Sequence, residues 1–151
     1  MRGVDRGAGV RGGPVQAHQE GRPFPVTGTD YPTRDGTGIR DYVHVWDLAA
    51  AHIAAIGRFD SILDGPERSI AINLGTGSGT TVRELCDAFN NVVTTPLATV
   101  DADPRPGGVA GGYTKSDRAA ELLGWTPKLS LEDGIRSALE WIPVRDRLLK
   151  G

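Results

Sequence analysis

Residues 28–48 have the sequence GTDYPTRDGTGIRDYVHVWDL, in which a loop, a short strand and a helix start follow one another. The first half is rich in Gly, Pro and Asp, residues that favour turns over helices. Residues 40–45 are largely β-branched and aromatic, which predicts a strand. Asp47 then predicts the N-cap of a helix that begins at Leu48. Arg40 therefore lies where the predicted loop meets the predicted strand.

The composition predicts one soluble globular domain. The chain has 151 residues, 38% hydrophobic and 24% charged, which is enough for a real core and argues against wholesale disorder. A net charge of −2 gives no electrostatic reason to expect nucleic acid or an acidic membrane as a partner. No apolar run is long enough to span a membrane, and no secretory signal is apparent. We therefore expect a cytoplasmic protein.

Hydrophobic periodicity alternates between helical and strand spacing, which predicts an α/β fold. Thr81 and Glu84 have the spacing of a capping box, Ser130 predicts another N-cap, and Gly124 and Pro143 predict helix ends. The predicted helices span residues 47–59, 81–90, 116–123 and 130–143, and the predicted strands span residues 69–74 and 97–100.

These patterns divide the chain into three parts. Residues 1–22 are rich in Gly with scattered Arg and show no periodicity, so we predict disorder there. Residues 23–143 are predicted to form one α/β domain, and residues 144–151 a frayed end. An RNA-binding role for the basic tail is the alternative, but the tail has no aromatic residue on which a base could stack.

Few residues have the spacing of a catalytic or metal site. On the predicted helix 81–90, helical spacing places Val82, Leu85, Cys86 and Phe89 on one buried face. Cys86 is therefore expected to be a core residue more than a reactive thiol. His44 and His52 are expected to be packed or on the surface. No motif in the sequence indicates a metal site.

A glycine-rich turn at residues 75–79, GTGSG, follows a predicted strand and precedes a helix, as in dinucleotide-binding folds. The third glycine of that fingerprint would fall at position 80, which is Thr80. No acidic residue is clearly placed to bind a ribose. The turn therefore favours a structural role, and binding of a cofactor phosphate is the less favoured alternative.

Arg40 and Arg105 are the best candidates for binding an anion. A guanidinium binds the oxygens of a diphosphate through paired hydrogen bonds. Arg105 lies between Pro104 and Pro106, and the following proline pushes it towards extended geometry, so a stiff loop presents its side chain. A solvated surface charge is the alternative for each.

The run from residue 28 resembles the nucleotide-sugar 4-epimerases of the extended short-chain dehydrogenase/reductase family, whose sequences carry a near-identical DYPT–DGT–RDY–HV–DLA pattern. The resemblance covers about residues 23–143 and implies the C-terminal, substrate-binding part of that fold, without the Rossmann cofactor domain. It places the glycine-rich turn in the substrate half. In this family NAD is the cofactor, and the enzymes interconvert UDP-glucose and UDP-galactose in galactose metabolism.

The resemblance implies a set of UDP-sugar-binding residues. Arg40 and Arg105 align with arginines that hold the UDP diphosphate, and Val82 with a residue that contacts the nucleotide. Four further positions are implied near the uridine or the sugar: Val26, Thr27, Gly108 and Gly112.

Two of these positions differ from the family. Thr27 replaces a phenylalanine packed near the uracil, and Gly108 replaces an aspartate near the ribose. Each loss could weaken nucleotide binding by about 1–3 kcal/mol. Gly112 aligns with the position that gates the sugar's 2-substituent, and its small size leaves UDP-N-acetyl sugars open as substrates.

Catalysis in the family uses a Gly-rich NAD loop and a Tyr-x-x-x-Lys pair, and neither occurs here. The tyrosines are Tyr31, Tyr42 and Tyr113, and none has Lys four positions later. We therefore expect an epimerase fragment with no catalytic or NAD-binding residues, inactive alone. Two alternatives stay open: a non-catalytic nucleotide-sugar-binding module, and a subunit that completes a site with a separate Rossmann chain. Without the Rossmann cofactor domain, helices 47–59 and 81–90 would expose apolar faces. We therefore also expect marginal stability or self-association.

Overall fold

The structure is a computed structural model that describes residues 13–65 and 69–150, without the side chain of Lys150. Within those residues the chain forms six helices and four short strands, which confirms the predicted α/β class. In chain order they are α1 (Pro14–Gln19), β1 (Phe24–Thr27), β2 (Ile39–Arg40), α2 (Val45–Gly57), α3 (Phe59–Ile62), β3 (Thr80–Thr81), α4 (Val82–Val92), β4 (Thr99–Ala102), α5 (Asp117–Leu123) and α6 (Leu131–Lys150).

Two small sheets join distant parts of the chain. Strands β1 and β4 pair in parallel, with Phe24 opposite Thr99 and Thr27 opposite Ala102. Strands β2 and β3 pair antiparallel, with Ile39 opposite Thr81. The sheets therefore bring the loops after β1, β2 and β4 close to the start of α4.

The larger core lies where α1, β1, α4 and α6 meet. The buried face of α4 has the predicted helical spacing, since Leu85, Cys86 and Phe89 are all buried. The other buried members of this core are Ala17, Phe24, Val26, Ala88, Leu97 and Ile135. The predicted capping box at Thr81 and Glu84 is present at the start of α4, as local sequence spacing indicated.

A smaller core joins α2 to α5 through Ala51, Ala119, Leu123 and Trp125. Gly124 ends α5 with φ 62°, a left-handed conformation, so the predicted helix end is confirmed. Through this core, α2 packs against the segment that leads into α6.

The helix predicted to begin after Asp47 begins earlier, and the strand before it is shorter than predicted. Strand β2 ends at Arg40, and α2 starts at Val45 with His44 as its N-cap. The Nδ1 atom of His44 accepts the backbone N–H of Trp46 over 3.0 Å. Asp47 is buried instead, and its carboxylate accepts backbone N–H groups from residues 128 and 129 over 3.0 and 2.9 Å. The predicted cap is therefore wrong, because Asp47 anchors a distant segment.

Helix α2 buries Ala51 but leaves most of its large apolar side chains exposed. Ile56, near the end of α2, and Phe59, at the start of α3, are both exposed. Val45, Trp46, Ile53 and Ile56 form what we call the outer α2 face, and all four are more than 70% exposed.

Two strand predictions need correction. Residues 69–74 form no strand in the described part of the chain, although Ile70, Ile72 and Leu74 are half-buried and alternate with exposed neighbours. The backbone carbonyl of Ala71 instead accepts a hydrogen bond from the Arg118 side chain over 2.9 Å. The predicted strand at residues 97–100 lies two residues later, at Thr99–Ala102.

Both predicted ends of the domain are also displaced. Residues 1–12 of the predicted disordered tail lie outside the described residues, but Pro14–Gln19 form α1, whose Ala17 is fully buried. Pro143 was expected to stop the last helix before a frayed end, yet α6 continues through it to Lys150. Pro143 is exposed, and its ring removes the N–H that the carbonyl of Leu139 would otherwise accept. Ser130 caps this helix as predicted, since its Oγ accepts the N–H of Asp133 over 3.1 Å.

Candidate functional site

A cavity of about 380 Å³ opens between β1, the end of β2, the start of α4 and the loop after β4. We call it the two-arginine cavity, because Arg40 and Arg105 both line it. The full lining is Gly13, Pro14, Phe24, Pro25, Thr27, Tyr31, Gly38, Arg40, Tyr42, Val82, Leu85, Arg105 and Gly108. Five of the seven residues that the resemblance implies for UDP-sugar binding therefore line this one cavity.

The side chain of Arg40 is held against the loop that follows β4. Its Nη1 donates to the carbonyl oxygens of Ile39 and Ala110, over 2.6 and 3.4 Å. Gly111 has φ 91°, and a Cβ there would overlap this nitrogen, so the guanidinium lies directly on a glycine backbone. Its Nε and Nη2 make no hydrogen bond to the described residues, which leaves one edge of the fork for a ligand.

Arg105 lies in the loop after β4, the same loop against which Arg40 is held. It lies in an exposed turn that the N–H of Gly108 closes by donating to the carbonyl of Arg105 over 2.8 Å. Its guanidinium forms no hydrogen bond or ion pair with the described residues. No Asp or Glu is among the described lining residues, so the charge of both arginines is uncompensated within the cavity. The arrangement favours an anionic ligand.

The rest of the lining is mostly apolar. Phe24 and Leu85 are buried core residues that each present part of their surface to the cavity, and Val82 and Pro25 are half-buried beside them. A cationic edge beside an apolar wall suits a ligand with both a charged and a flat apolar part.

A buried network holds the α4 end of the cavity in place. The hydroxyl of Thr37 accepts the N–H groups of Val82 and Arg83, over 3.1 and 3.3 Å, and donates to Asp35 over 2.7 Å. Thr81 also donates to Asp35, and both threonines are fully buried. Burial favours a higher pKa for Asp35, but the hydrogen bonds from Thr81 and Thr37 outweigh it and lower the pKa.

The glycine-rich turn at residues 75–79 does not fit a cofactor phosphate. Its backbone amides already have partners: Gly75 N donates to Ser116 Oγ over 2.7 Å, and Thr76 N donates to Asp41 over 2.9 Å. A Cβ at Gly75 would overlap the Asp41 carboxylate and Thr114, so protein atoms fill the space beside it. Burial would raise the pKa of Asp41, but hydrogen bonds from Thr76 and Thr114 lower it. A carboxylate thus occupies the position that a phosphate would need.

Two of the residues named from the sequence lie apart from the cavity lining. Val26 is only 1% exposed and packs in the larger core. Gly112 is exposed, and a Cβ there would meet no atom within 4 Å. The binding roles that the resemblance implies for Val26 and Gly112 stay predictions.

Two tyrosines that were not predicted to be binding residues also line the two-arginine cavity. Tyr31 lies in the loop after β1, and Tyr42 follows β2. Burial raises the pKa of the Tyr42 phenol, partly offset by the charge of Arg40. Both occur within residues 28–48, but no spacing rule assigns a loop tyrosine to a cavity, so only the tertiary structure shows their position.

The other candidate groups lie in structural positions. Cys86 is buried, as predicted, and burial raises the pKa of its thiol to about 11. His44 caps α2, and His52 is exposed on the same helix. The described residues contain no cluster of His, Cys, Asp or Glu that could hold a metal ion. None of the described helices is both long and apolar enough to cross a membrane.

Residues 13–138 match the family model described as GDP-mannose 4,6 dehydratase. The chain is 48% identical over 124 residues to a UDP-glucose 4-epimerase of Rhizobium meliloti (strain 1021), covering 82% of this chain and 37% of that relative. It is 45% identical over 118 residues to the UDP-glucose 4-epimerase of Rhizobium leguminosarum bv. trifolii, covering 78% of this chain and 35% of the relative. The chain thus spans little more than a third of the length of these relatives.

Solved structures of UDP-glucose 4-epimerases also resemble this chain over about the same part of their length. A UDP-glucose-4-epimerase from Stenotrophomonas maltophila, with bound NAD and formylated UDP-arabinopyranose, superposes with a TM-score of 0.78 and 36% identity, covering 89% of this chain and 39% of that one. The UDP-glucose 4-epimerase of Bifidobacterium longum, in complex with NAD+ and UDP, superposes with a TM-score of 0.76 and 35% identity, covering 88% and 38%.

Proposed function

This chain belongs to the extended short-chain dehydrogenase/reductase family, as a partial member related to the UDP-glucose 4-epimerases, and on that premise we propose that it binds a UDP-sugar in the two-arginine cavity. One observation carries the proposal. Arg40 and Arg105, the two residues expected to hold a diphosphate, line the same cavity without a carboxylate among its described lining residues.

The cavity offers a partner for each part of such a ligand. The free edge of Arg40 and the guanidinium of Arg105 both bind the diphosphate oxygens. The apolar wall formed by Phe24, Val82 and Leu85 receives the flat face of the uracil. Thr27 and Gly108 contribute little to affinity here, because they lack the aromatic and acidic groups of the family at these positions.

The sugar is proposed from the space at Gly112. A Cβ at Gly112 would meet no atom within 4 Å, so this exposed residue, which lies outside the cavity lining, leaves room for a 2-acetamido group as well as a hydroxyl. We therefore propose UDP-glucose and UDP-galactose as ligands, and UDP-N-acetylglucosamine as a further one.

We also propose that these 151 residues do not interconvert UDP-glucose and UDP-galactose on their own. None of the three tyrosines in the sequence has Lys four positions later. The only glycine-rich turn that suggested a phosphate site has its amides bound to Asp41 and Ser116. NAD, which would take up and return the hydride in the family's reaction, has no suitable cradle at that turn.

Calorimetric titration of the purified chain with UDP tests the binding proposal. We expect saturable binding, and we expect Arg40→Ala and Arg105→Ala each to weaken it by about tenfold or more, because each removes a charged contact to the diphosphate. Arg145→Ala is the matched control, since Arg145 is exposed on α6 and pairs with Asp146 away from the cavity. A folded wild-type chain that binds no UDP, or an Arg40→Ala variant that binds like wild type, would contradict the proposal.

A second function, completing a site with a separate cofactor-binding chain, is supported by an apolar groove. The groove has a volume of about 370 Å³, adjoins the two-arginine cavity at Tyr42 and Leu85, and is walled by Val43, Ile135 and Trp141. Mixing the chain with the part of the Bifidobacterium longum epimerase that it does not match tests this function. NAD-dependent epimerisation that needs both polypeptides would support it, and inactivity of the mixture despite complex formation would count against it.

A further inference from the structure

Tyr31 has its hydroxyl end in a slot between two glycines on the wall of the two-arginine cavity. A Cβ at Gly108 would lie 2.6 Å from the Tyr31 hydroxyl, and one at Gly28 would overlap the ring and lie 3.1 Å from the hydroxyl. Real Cβ atoms essentially never approach a neighbour as closely as the 2.6 Å at Gly108 or the ring overlap at Gly28. The phenol therefore occupies space that exists only because both positions are glycine.

The backbone around Tyr31 holds the ring in that slot. Its N–H donates to the carbonyl of Gly36 over 2.8 Å, and its carbonyl accepts the N–H of Thr33 over 2.7 Å. Gly28, with φ 77°, donates to Ala102 over 2.9 Å at the end of the β1–β4 pair. The loop after β1 is thus closed on itself and tied to the sheet, so the hydroxyl is placed before any ligand arrives.

The Tyr31 hydroxyl has no hydrogen-bond partner among the described residues, although it lines the cavity. A phenol hydroxyl that faces a binding cavity can donate one hydrogen bond and accept another. We propose that the Tyr31 hydroxyl hydrogen-bonds a ribose hydroxyl of the bound nucleotide. This inference rests on the proposed function of the cavity.

The position of the phenol selects the ribose over the other parts of the ligand. Gly108 closes the turn that carries Arg105, so the Tyr31 hydroxyl lies beside the backbone of the residue proposed to bind the diphosphate. The ribose is the unit bonded directly to that diphosphate, and it carries the neutral hydroxyls that a neutral phenol pairs with. The uracil lies one unit further on, towards the apolar wall.

The experiment is a set of titrations with three probes: UDP, 2′,3′-dideoxy-UDP and inorganic pyrophosphate. For the wild-type chain we expect the dideoxy compound to bind about tenfold more weakly than UDP. Tyr31→Phe should weaken UDP by a similar factor and leave the affinities for dideoxy-UDP and pyrophosphate unchanged. The loss would then be specific to the pair formed by the phenol and the ribose hydroxyls, which an effect on folding would not reproduce.

Tyr113→Phe is the matched control, since Tyr113 is exposed and does not line the cavity. It should bind all three probes as the wild type does. Tyr31→Phe that binds UDP like wild type, or that weakens UDP and dideoxy-UDP equally, overturns the inference and leaves the proposed function standing. A wild-type chain that binds no UDP overturns the proposed function and this inference with it.

Discussion

Thr76 is bound twice to Asp41, because its backbone N–H and its hydroxyl both donate to the same carboxylate oxygen, over 2.9 and 2.6 Å. The second oxygen of Asp41 accepts the N–H of Thr114 over 3.0 Å. One side chain therefore joins the end of β2, the glycine-rich turn and the segment before α5, three parts of the chain that are distant in sequence.

These contacts predict a stability that falls in acid. Desolvation opposes ionisation of Asp41, but its hydrogen bonds lower the pKa below the ordinary value, and the same holds for Asp35. A carboxylate with a depressed folded pKa stabilises the protein above its unfolded pKa of about 4, and the stabilisation is lost as the pH falls through the folded value. We expect the thermal midpoint to drop below about pH 4. Asp41→Asn should lower the free energy of unfolding at pH 7 by about 1–3 kcal/mol and flatten part of the acid dependence.

Asp60→Asn is the control for this prediction, because Asp60 is exposed in α3 and the Asp41 network does not include it. Thermal melts of both variants from pH 3 to pH 7 make the comparison. If the thermal midpoint falls with pH equally in Asp41→Asn and in the wild type, Asp41 does not contribute to the loss of stability in acid.

Thr37→Val should destabilise the start of α4. Valine has the shape of threonine but cannot accept the N–H groups of Val82 and Arg83 or donate to Asp35. Losing a buried helix cap costs about 2 kcal/mol. Urea unfolding measures the change, and Thr99→Val on the exposed strand β4 serves as its control. Equal unfolding midpoints for the two variants would rule out a capping role for Thr37.

Pro143→Ala should strengthen the last helix. Proline inside a helix lacks the N–H that the carbonyl four residues earlier would accept, at a cost of up to about 3 kcal/mol relative to alanine. We expect slower amide exchange over residues 139–148 and a higher helical signal in circular dichroism. Ala138→Ser, an exposed substitution on the same helix, should have no such effect. Unchanged amide exchange in Pro143→Ala would contradict the prediction, since it would mean that the proline ring does not weaken α6.

The outer α2 face predicts association between copies of the chain. Isolated surface apolar residues are ordinary, but Val45, Trp46, Ile53 and Ile56 share one helix face and are more than 70% exposed. We expect sedimentation coefficients that rise with concentration, and a double substitution Ile53→Lys/Ile56→Lys that lowers this rise. Asp60→Lys changes the charge nearby without removing apolar surface, so it should lower the rise of the sedimentation coefficient less than the double substitution does. A wild-type chain that stays monomeric at all concentrations would contradict the prediction.

Local signals in the sequence were sufficient wherever structure depends on neighbouring residues. The Thr81–Glu84 capping box, the Ser130 cap and the left-handed Gly124 each need only residues within one helical turn, and all three are confirmed. The spacing of Leu85 and Phe89 likewise indicated their burial.

Prediction from the sequence failed where contacts with residues distant in the chain determine the local structure. Asp47 has the chemistry of an N-cap, but the backbone at Lys128 competes for its carboxylate, and His44 caps the helix instead. Ile70 and Ile72 alternate as a strand does, yet no described strand pairs with them. Tyr31 enters the cavity only because Gly108, brought in by the loop after β4, leaves room for it.

The pairing of β1 with β4 also governs the order in which this molecule can assemble. Phe24 and Thr99 are about 75 positions apart, so closing that pair requires a large loss of chain entropy before any contact is gained. Helices α4 and α6 can form earlier from local contacts, whereas the two-arginine cavity needs both strands and is expected to close late. A ligand in the cavity would then slow unfolding while leaving the folding rate nearly unchanged.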